Sequence, residues 1–357
     1  MNWQKGSTDA GAANLRFCDK LEQVDLMGSP LGDGVVEALR GKPNLHHFSS
    51  GTQVTDAGLA MLADFPRFRR WDGGECHYDL MTHGEEPTYL LIDGPFTDDG
   101  LETVAKLDGV SGLNLFWNVE KVTSRGIGAL AAMRNLRHFR CDGKLAGDAA
   151  LAHIARMPLL RMLVIQGTVA TDKGFAALSK SRSLEYLWGR ECPNLTGSGF
   201  VALSEMASLR GLGVSCKRVD DGALASLPNF PALAEFMPMD VPDDGFRHVG
   251  RCARLERLSC MYCRETGDRA TEHIAGLRLT TYYAGLTQIT DRSLEILGGM
   301  NSLEVVELFE TKAVTDAGLA HLAKLPNLRR IELSGLPNVT WEGTKTFASS
   351  VQVNWDV

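Results

Sequence analysis

Apolar residues recur along this chain in two rhythms, one of three to four residues and one of two. The cleanest instance is residues 314–333, VTDAGLAHLAKLPNLRRIEL. Leu319 and Leu322 lie three apart and share one face of a helix. Thr315 stands where its hydroxyl can cap the first turn, and Asp316 places a carboxylate at the positive end of the helix dipole. Pro326 helps to stop the helix. Ile331, Glu332 and Leu333 then alternate as a strand with one buried and one open face. The same pattern begins at Val54-Thr55-Asp56-Ala57-Gly58-Leu59 and at Ile289-Thr290-Asp291.

Each copy can be anchored on the first inward apolar residue of its strand. The anchors are Val24, Phe48, Trp71, Leu90, Leu113, Phe139, Leu163, Leu187, Leu212, Phe236, Leu258, Tyr282, Val306, Ile331 and Val351. They keep a spacing of about 24 residues, and a self-similar period of that size marks a solenoid of stacked supersecondary units. Thr8, Thr55, Thr97, Thr123, Thr171, Thr290 and Thr315 occupy the capping position. Asp9, Asp56, Asp98, Asp172, Asp291 and Asp316 follow in the first turn, and Pro66 and Pro158 repeat the stop signal of Pro326. The prediction is a single solenoid over residues 1–357 with about 15 units, each packing on its neighbours.

Two places break the period. Between Trp71 and Leu113 the piece GGECHYDLMTHGEEPTYLLIDG fits only as a degenerate unit at about 74–95, with a strand from Tyr89 to Ile92. At the end, residues 339–357 carry a shortened helix and a polar finish, as a terminal cap should. At the start only seven residues precede Thr8, so Trp3, a preceding segment or a partner is expected to cover the outer face of the first copy.

The pattern from about Thr8 to Val353 resembles leucine-rich repeats of the cysteine-containing kind found in F-box leucine-rich repeat proteins and similar bacterial repeat proteins. That resemblance implies an α/β fold, a right-handed leucine-rich-repeat solenoid or horseshoe with a parallel sheet on the concave face and short helices on the convex face. It implies partner binding as the usual activity, and no chemistry. An F-box is not expected in the few residues before the first copy, a departure from that family that speaks against a ubiquitin-ligase adaptor role.

Composition narrows the function further. The chain carries 37 Lys and Arg against 44 Asp and Glu, a net charge of −7. A general nucleic-acid binder would show a basic stripe instead. No apolar run approaches the roughly 18 residues of a membrane span, and the N-terminus lacks the apolar core of a secretory signal. Eight cysteines without such a signal fit reduced thiols in a cytoplasmic setting better than a disulfide framework.

Candidate chemistry is sparse. Cys260-Met261-Tyr262-Cys263 has the spacing of a redox or metal motif. In phase with the repeat, however, Cys263 falls at the turn after the strand, where a buried Cys or Asn satisfies the backbone; Cys192 and Asn118 hold the equivalent place. A zinc site would need a second ligand pair at suitable spacing. Cys76, His77, His83, Glu85 and Glu86 form the better metal candidate because they lie in the segment that breaks the repeat, yet their spacing matches no defined zinc pattern. No nucleophile elbow, P-loop or zincin motif is present. His47 and His138 face the open side by phase and read as ordinary surface histidines. No metal or cofactor is expected.

The open strand positions are more informative. In the first half they are polar and mixed in sign, including Gln23, Asp25, His47, Asn114 and Arg140. From the middle onward they become large and apolar: Trp188, Met237, Met239, Met261, Tyr283 and Phe309, with Arg190 among them and Phe116 as an earlier outlier. Exposed apolar patches of this kind mark interaction surfaces, and aromatic residues and Arg are enriched at hot spots. Phe116, Arg140, Trp188, Arg190, Met237, Met239, Met261, Tyr283 and Phe309 are therefore the expected partner-binding residues of a non-catalytic scaffold that takes a protein or peptide on its concave face. One alternative is a small-ligand receptor, with Trp188, Met237 and Met261 walling a pocket. Others are an effector or immunity-type inhibitor of another protein, and an enzyme built on the segment around His77 and His83.

Overall fold

The computed structural model describes residues 6–261 and 263–356; Trp3, the expected cap, and Tyr262 lie outside them. By contacts the chain divides into two compact blocks, Met1–Gly189 and Arg190–Val357. The first carries strands β1 (Gln23–Asp25), β2 (His47–Ser49), β3 (Tyr89–Ile92), β4 (Gly112–Leu115), β5 (His138–Cys141), β6 (Met162–Val164) and β7 (Tyr186–Gly189). The second carries β8 (Gly211–Ser215), β9 (Glu235–Met239), β10 (Arg257–Cys260), β11 (Thr281–Gly285), β12 (Val305–Phe309), β13 (Arg330–Ser334) and β14 (Gln352–Asp356). The described strands form one open parallel sheet in chain order. Short helices connect them, and within each block most pack beside the helix of the next repeat.

Register follows the predicted anchors. In the first block Val24, Phe48, Leu90, Leu113, Phe139, Leu163 and Leu187 pair across successive strands. In the second, Leu212, Phe236, Leu258, Tyr282, Val306, Ile331 and Val353 do the same. These residues are buried, apart from the partly exposed Val353 in the last strand, and form the inner row of a core shared by sheet and helices. Two anchors need correction. The last is Val353 and not Val351. Trp71 begins no strand: it follows a short helix, Pro66–Arg69, and lies with the Arg137 guanidinium 4.5 Å above its ring.

The second correction changes the reading of the broken period. β2 pairs directly with β3, Phe48 opposite Leu90. On the helix side, Asp56 of helix Asp56–Met61 bonds Thr97, which caps helix Asp98–Val104. Neither layer leaves a gap for another copy. The expected degenerate unit at 74–95 is one ordinary strand, β3, preceded by an insertion at 72–88. The described strands number fourteen, one fewer than the predicted units.

The recurring Thr-Asp pair does more than cap. Each Thr hydroxyl accepts from an amide of its own first turn, as the Thr55 hydroxyl does from Ala57 at 3.2 Å. An Asp in the first helical turn accepts from the amide and the hydroxyl of the next repeat's Thr, also where Gly147 or Gly267 stands in place of the preceding Thr. Asp98 takes Thr123 at 2.7 and 2.6 Å, and Asp148 takes Thr171 at 2.7 and 2.9 Å. In the second block Asp268 takes Thr290 at 2.9 and 2.8 Å, Asp291 takes Thr315 at 2.8 and 2.6 Å, and Asp316 takes Thr340 at 2.8 and 2.7 Å. A helix N-terminus leaves its first amides without intrahelical partners, so a carboxylate from the neighbouring repeat satisfies them across the stack. The glycine of the Thr-Asp-x-Gly pattern has the same origin. A Cβ at Gly58, Gly126, Gly174 or Gly318 would come within 3.0 Å of the preceding repeat's aspartate. Ser293 stands at this position in its repeat and donates to Asp268 at 2.6 Å.

The cysteines complete the turns. Cys192, Cys216 and Cys263 are buried, and the Cys263 thiol donates to the Pro238 carbonyl at 2.9 Å. Asn118, expected to be their equivalent, is exposed and donates through its side-chain amide to Asp93 at 2.8 Å. All eight cysteines are unbridged, and Cys18 is exposed while the other seven are buried. Burial pushes the Cys192 and Cys252 thiols up to about 12, far from the reactive thiolate. Thiol titration of the native protein is therefore expected to show one fast group, lost in Cys18→Ser, and eight groups after denaturation. Fast labelling of several thiols in the native state would contradict this packing.

The aspartate ladder predicts the acid response. Burial alone would raise the Asp98 carboxyl, but the bonds from Thr123 and Arg125 outweigh it and hold the group below the usual carboxylate range. Asp268 is likewise lowered, its bonds from Ser293 and Thr290 overcoming burial. A depressed carboxyl contributes stability above its unfolded pKa, about 3.9, and loses it as pH falls through the folded value. Urea midpoints should thus hold steady down to about pH 4 and drop below it. Asp98→Ala should cost about 1–3 kcal/mol at neutral pH, since it orphans an amide and a hydroxyl. It should also flatten the acid limb; an unchanged limb would argue against the ladder.

Candidate functional site

Alternate strand residues point away from the helices. In the first block two rows face that open side. One runs His47, Tyr89, Gly112, His138, Met162, Tyr186, and the other Ser49, Leu91, Asn114, Arg140, Val164, Trp188. The predicted strand phase is therefore right for Trp188, yet Trp188 is only 7% exposed. Residues 72–88 lie over this face. His83 meets the Trp188 ring edge-on at 4.9 Å. Tyr78 packs against His138 and Tyr186, with the Arg161 guanidinium 5.2 Å from its ring centre. Arg161 also donates to the Cys76 carbonyl at 3.3 Å. The expected openness of Trp188 fails because alternation reports which face a side chain takes, and not what another segment lays over it.

In the second block the same expectation divides. Every residue of β8 and β9 is buried, so Met237 and Met239, each 1% exposed, are closed rather than open. In β12 and β13 the burial alternates, as it does over the first four residues of β11, and Tyr283 and Phe309, expected to be open, are half-buried, as is Met261 after β10. Arg190 is half-buried and borders a groove of 590 Å³ together with Lys217, Met239 and Asp240. Phe116 is half-buried and stacks on the exposed ring of Trp117 at 5.5 Å.

The first block holds a polar cavity of 640 Å³ between the insertion and the open rows. Its centre is His138, whose Nδ1 lies 2.6 Å from Glu86 Oε1 with both side chains almost fully buried. Gly112 makes this possible, since a Cβ there would lie 2.6 Å from the Tyr89 ring and 3.1 Å from the Glu86 carboxyl. His47 stacks on Tyr89 at 5.0 Å. Arg140, expected as a partner-binding residue, is fixed by Asp142 at 2.8 and 3.1 Å and lines the cavity. His83 adopts a left-handed backbone, φ 64, which a non-glycine residue rarely does without cause. Burial, with the charges of His138 and Arg140 adding to it, lowers its pKa to about 4, so the ring is neutral at physiological pH. His47 is lowered in the same direction, chiefly by burial. His138, expected to be an ordinary surface residue, is buried, and His47, expected likewise, is half-buried; both line the cavity.

The proposed metal ligands do not converge. Cys76 is buried, His77 is exposed beside Glu75 at 3.5 Å, and Glu86 turns to His138. Among the described residues no group of His, Cys, Asp or Glu is arranged to hold a metal ion.

No family model matches this sequence, and no curated protein sequence matches it. Solved structures do. The yeast Rad7 and Elc1 complex aligns over 98% of this chain and 88% of that one, with a TM-score of 0.49 and 15% identity. An internalin (inlF) from Listeria monocytogenes aligns over 93% and 96%, with a TM-score of 0.41 and 13% identity. Parallel strands in chain order, joined by short helices at a near-constant period, settle the architecture. The fold is that of a leucine-rich-repeat solenoid. The insertion converts part of an open strand face into a walled cavity.

That covering can be tested through Trp188. As a buried ring, Trp188→Ala should cost about 3–5 kcal/mol in urea unfolding, the range for emptying a large aromatic site. Unchanged stability would mean that the insertion does not seal this face.

Proposed function

We propose that this leucine-rich-repeat chain is a non-catalytic protein-binding scaffold whose contact surface is the open face of β11 to β13. The observation that carries the reading is the regular half-burial of alternate side chains on these strands. Tyr283, Glu307 and Glu332 form one such row, with Thr281, Val305 and Arg330 beside it. Arg330 reaches Glu307 at 2.9 Å and Glu332 at 3.6 Å, and Asn354 donates to Glu332 at 2.7 Å. Side chains that are ordered before contact lose less rotamer freedom on binding. Tyr283 and Phe309 supply the aromatic anchors that dominate interfaces, while the glutamates favour a partner with a basic, partly apolar surface. Such a ribbon recognises a partner and transforms nothing. The eight unbridged thiols suit a reducing, cytoplasmic setting, and among the described residues no helix is long and apolar enough to cross a membrane.

The immobilised chain should retain a specific protein that Tyr283→Ala/Phe309→Ala loses, with binding weakened by at least about 2 kcal/mol. Lys312→Ala, in the exposed loop after β12, should bind as the unaltered protein does. Melting should change little, because shortening half-exposed side chains leaves no sealed cavity. Full binding by the folded double variant would overturn the reading.

A further inference from the structure

The first block's cavity stands apart from the surface on β11 to β13, and its polar groups have a specific imbalance. We infer that the cavity between the insertion and the first block's strands is a binding site for a small, neutral, hydroxyl-rich ring, a sugar or cyclic polyol. The inference does not depend on the protein-binding reading.

Two buried polar side chains carry it. Asn114 and His138 are 5% and 6% exposed, and both line the cavity. The Asn114 amide donates to the Tyr89 hydroxyl at 3.2 Å, but its Oδ1 has no hydrogen-bond partner among the described residues. Nε2 of His138 has none either. Nδ1 of the same ring faces the Glu86 carboxylate, so Nε2 is the ring nitrogen left for another partner. Leaving buried polar atoms unmet is costly. A hydroxyl can donate or accept, so a ligand with adjacent hydroxyls can meet both atoms.

The remaining lining fits the other half of each hydroxyl. The Tyr89 hydroxyl, already accepting from Asn114, keeps its own hydrogen to donate, and Arg140 presents a guanidinium that Asp142 holds in place. The stacked rings of His47 and Tyr89 give one aromatic wall for the less polar face of a ring. Charge excludes the alternatives. Glu85 and Glu86 line the same space and oppose an anion, while Arg140 opposes a cation. A volume of 640 Å³ lies in the range of small-ligand pockets.

The test uses the full chain with D-glucose, D-galactose and myo-inositol as neutral probes. Inorganic phosphate and ethanolamine serve as the anionic and cationic ones. Binding is read by calorimetry and by the ¹⁵N shift of the His138 imidazole. At least one neutral probe should bind and move Nε2 toward the hydrogen-bonded position, while phosphate and ethanolamine do neither. Lactose distinguishes the source. Equal binding of lactose and galactose supports the site with a glycan end as ligand, and galactose alone supports it with a free sugar. Asn114→Leu should bind at least about tenfold more weakly and yet melt no lower than the unaltered protein, because it removes a buried acceptor that nothing satisfies. A residue needed only for packing would lose stability without touching the His138 signal. The inference is overturned if no neutral probe binds, if only a charged probe does, or if folded Asn114→Leu binds normally. Should that variant fail to fold, the His138 ¹⁵N shift of the unaltered protein with and without the neutral probes decides.

Discussion

An aspartate in one repeat holding the first amide and hydroxyl of the next is the contact on which the array depends. A parallel strand ladder joins neighbours on one side, but short helices cannot share backbone bonds, and their N-termini would be left with unmet donors. Asp98, Asp148, Asp291 and Asp316 close that deficit across repeats. The geometry is tight enough to dictate composition nearby, since glycines such as Gly58, Gly174 and Gly318, three residues after a capping Thr, face the preceding repeat's carboxylate. The helix-side spacing is thus set by a charged hydrogen bond, and the strand-side spacing by the sheet. Agreement between the two layers keeps the period constant wherever both are present.

That constraint also explains how the chain accommodates an insertion without losing register. Residues 72–88 leave after the helix side of one repeat and return before β3, so Asp56 still reaches Thr97 and Phe48 still pairs with Leu90. With both ladders intact, the extra residues have only the open face to occupy. There they bring Tyr78, His83 and Glu86 against strand residues that an uninterrupted repeat would leave to solvent. A buried Glu–His pair and a left-handed His83 are costly features. Both lie on the face that the insertion covers.

Much of the fold was legible in the sequence because burial repeats with the chain's own periods. Leu319 and Leu322 mark a helix face, and Ile331 and Leu333 a strand face. The anchors failed only at Trp71, where a single aromatic residue in phase was read as a strand, and at Val351, two residues early. The Thr-Asp signature was read as a local cap, and its longer reach, to the following repeat, was invisible without neighbours in place. The candidate site was less legible. Tyr283 and Phe309 were located correctly on the half-exposed face, whereas Trp188, Met237 and Met239 proved buried. His47 and His138 were placed on the correct face, but nothing in their spacing linked them to Glu86.

Periodic sequence alone determined most of the inward residues and the stacking of each repeat on its neighbour, since each repeat buries its apolar face only against the next. It also supplied the caps and the stop signals, which act over a single turn. Tertiary structure alone decided where residues 72–88 would lie, because an aperiodic segment carries no phase to extrapolate. It decided that Glu86 meets His138 across 52 residues of chain, a pairing fixed by the space above Gly112 and by no local rule. Which side chains stand open is likewise a property of everything that packs over them. Alternation assigns a face to each residue, and only the folded neighbours determine whether water reaches it.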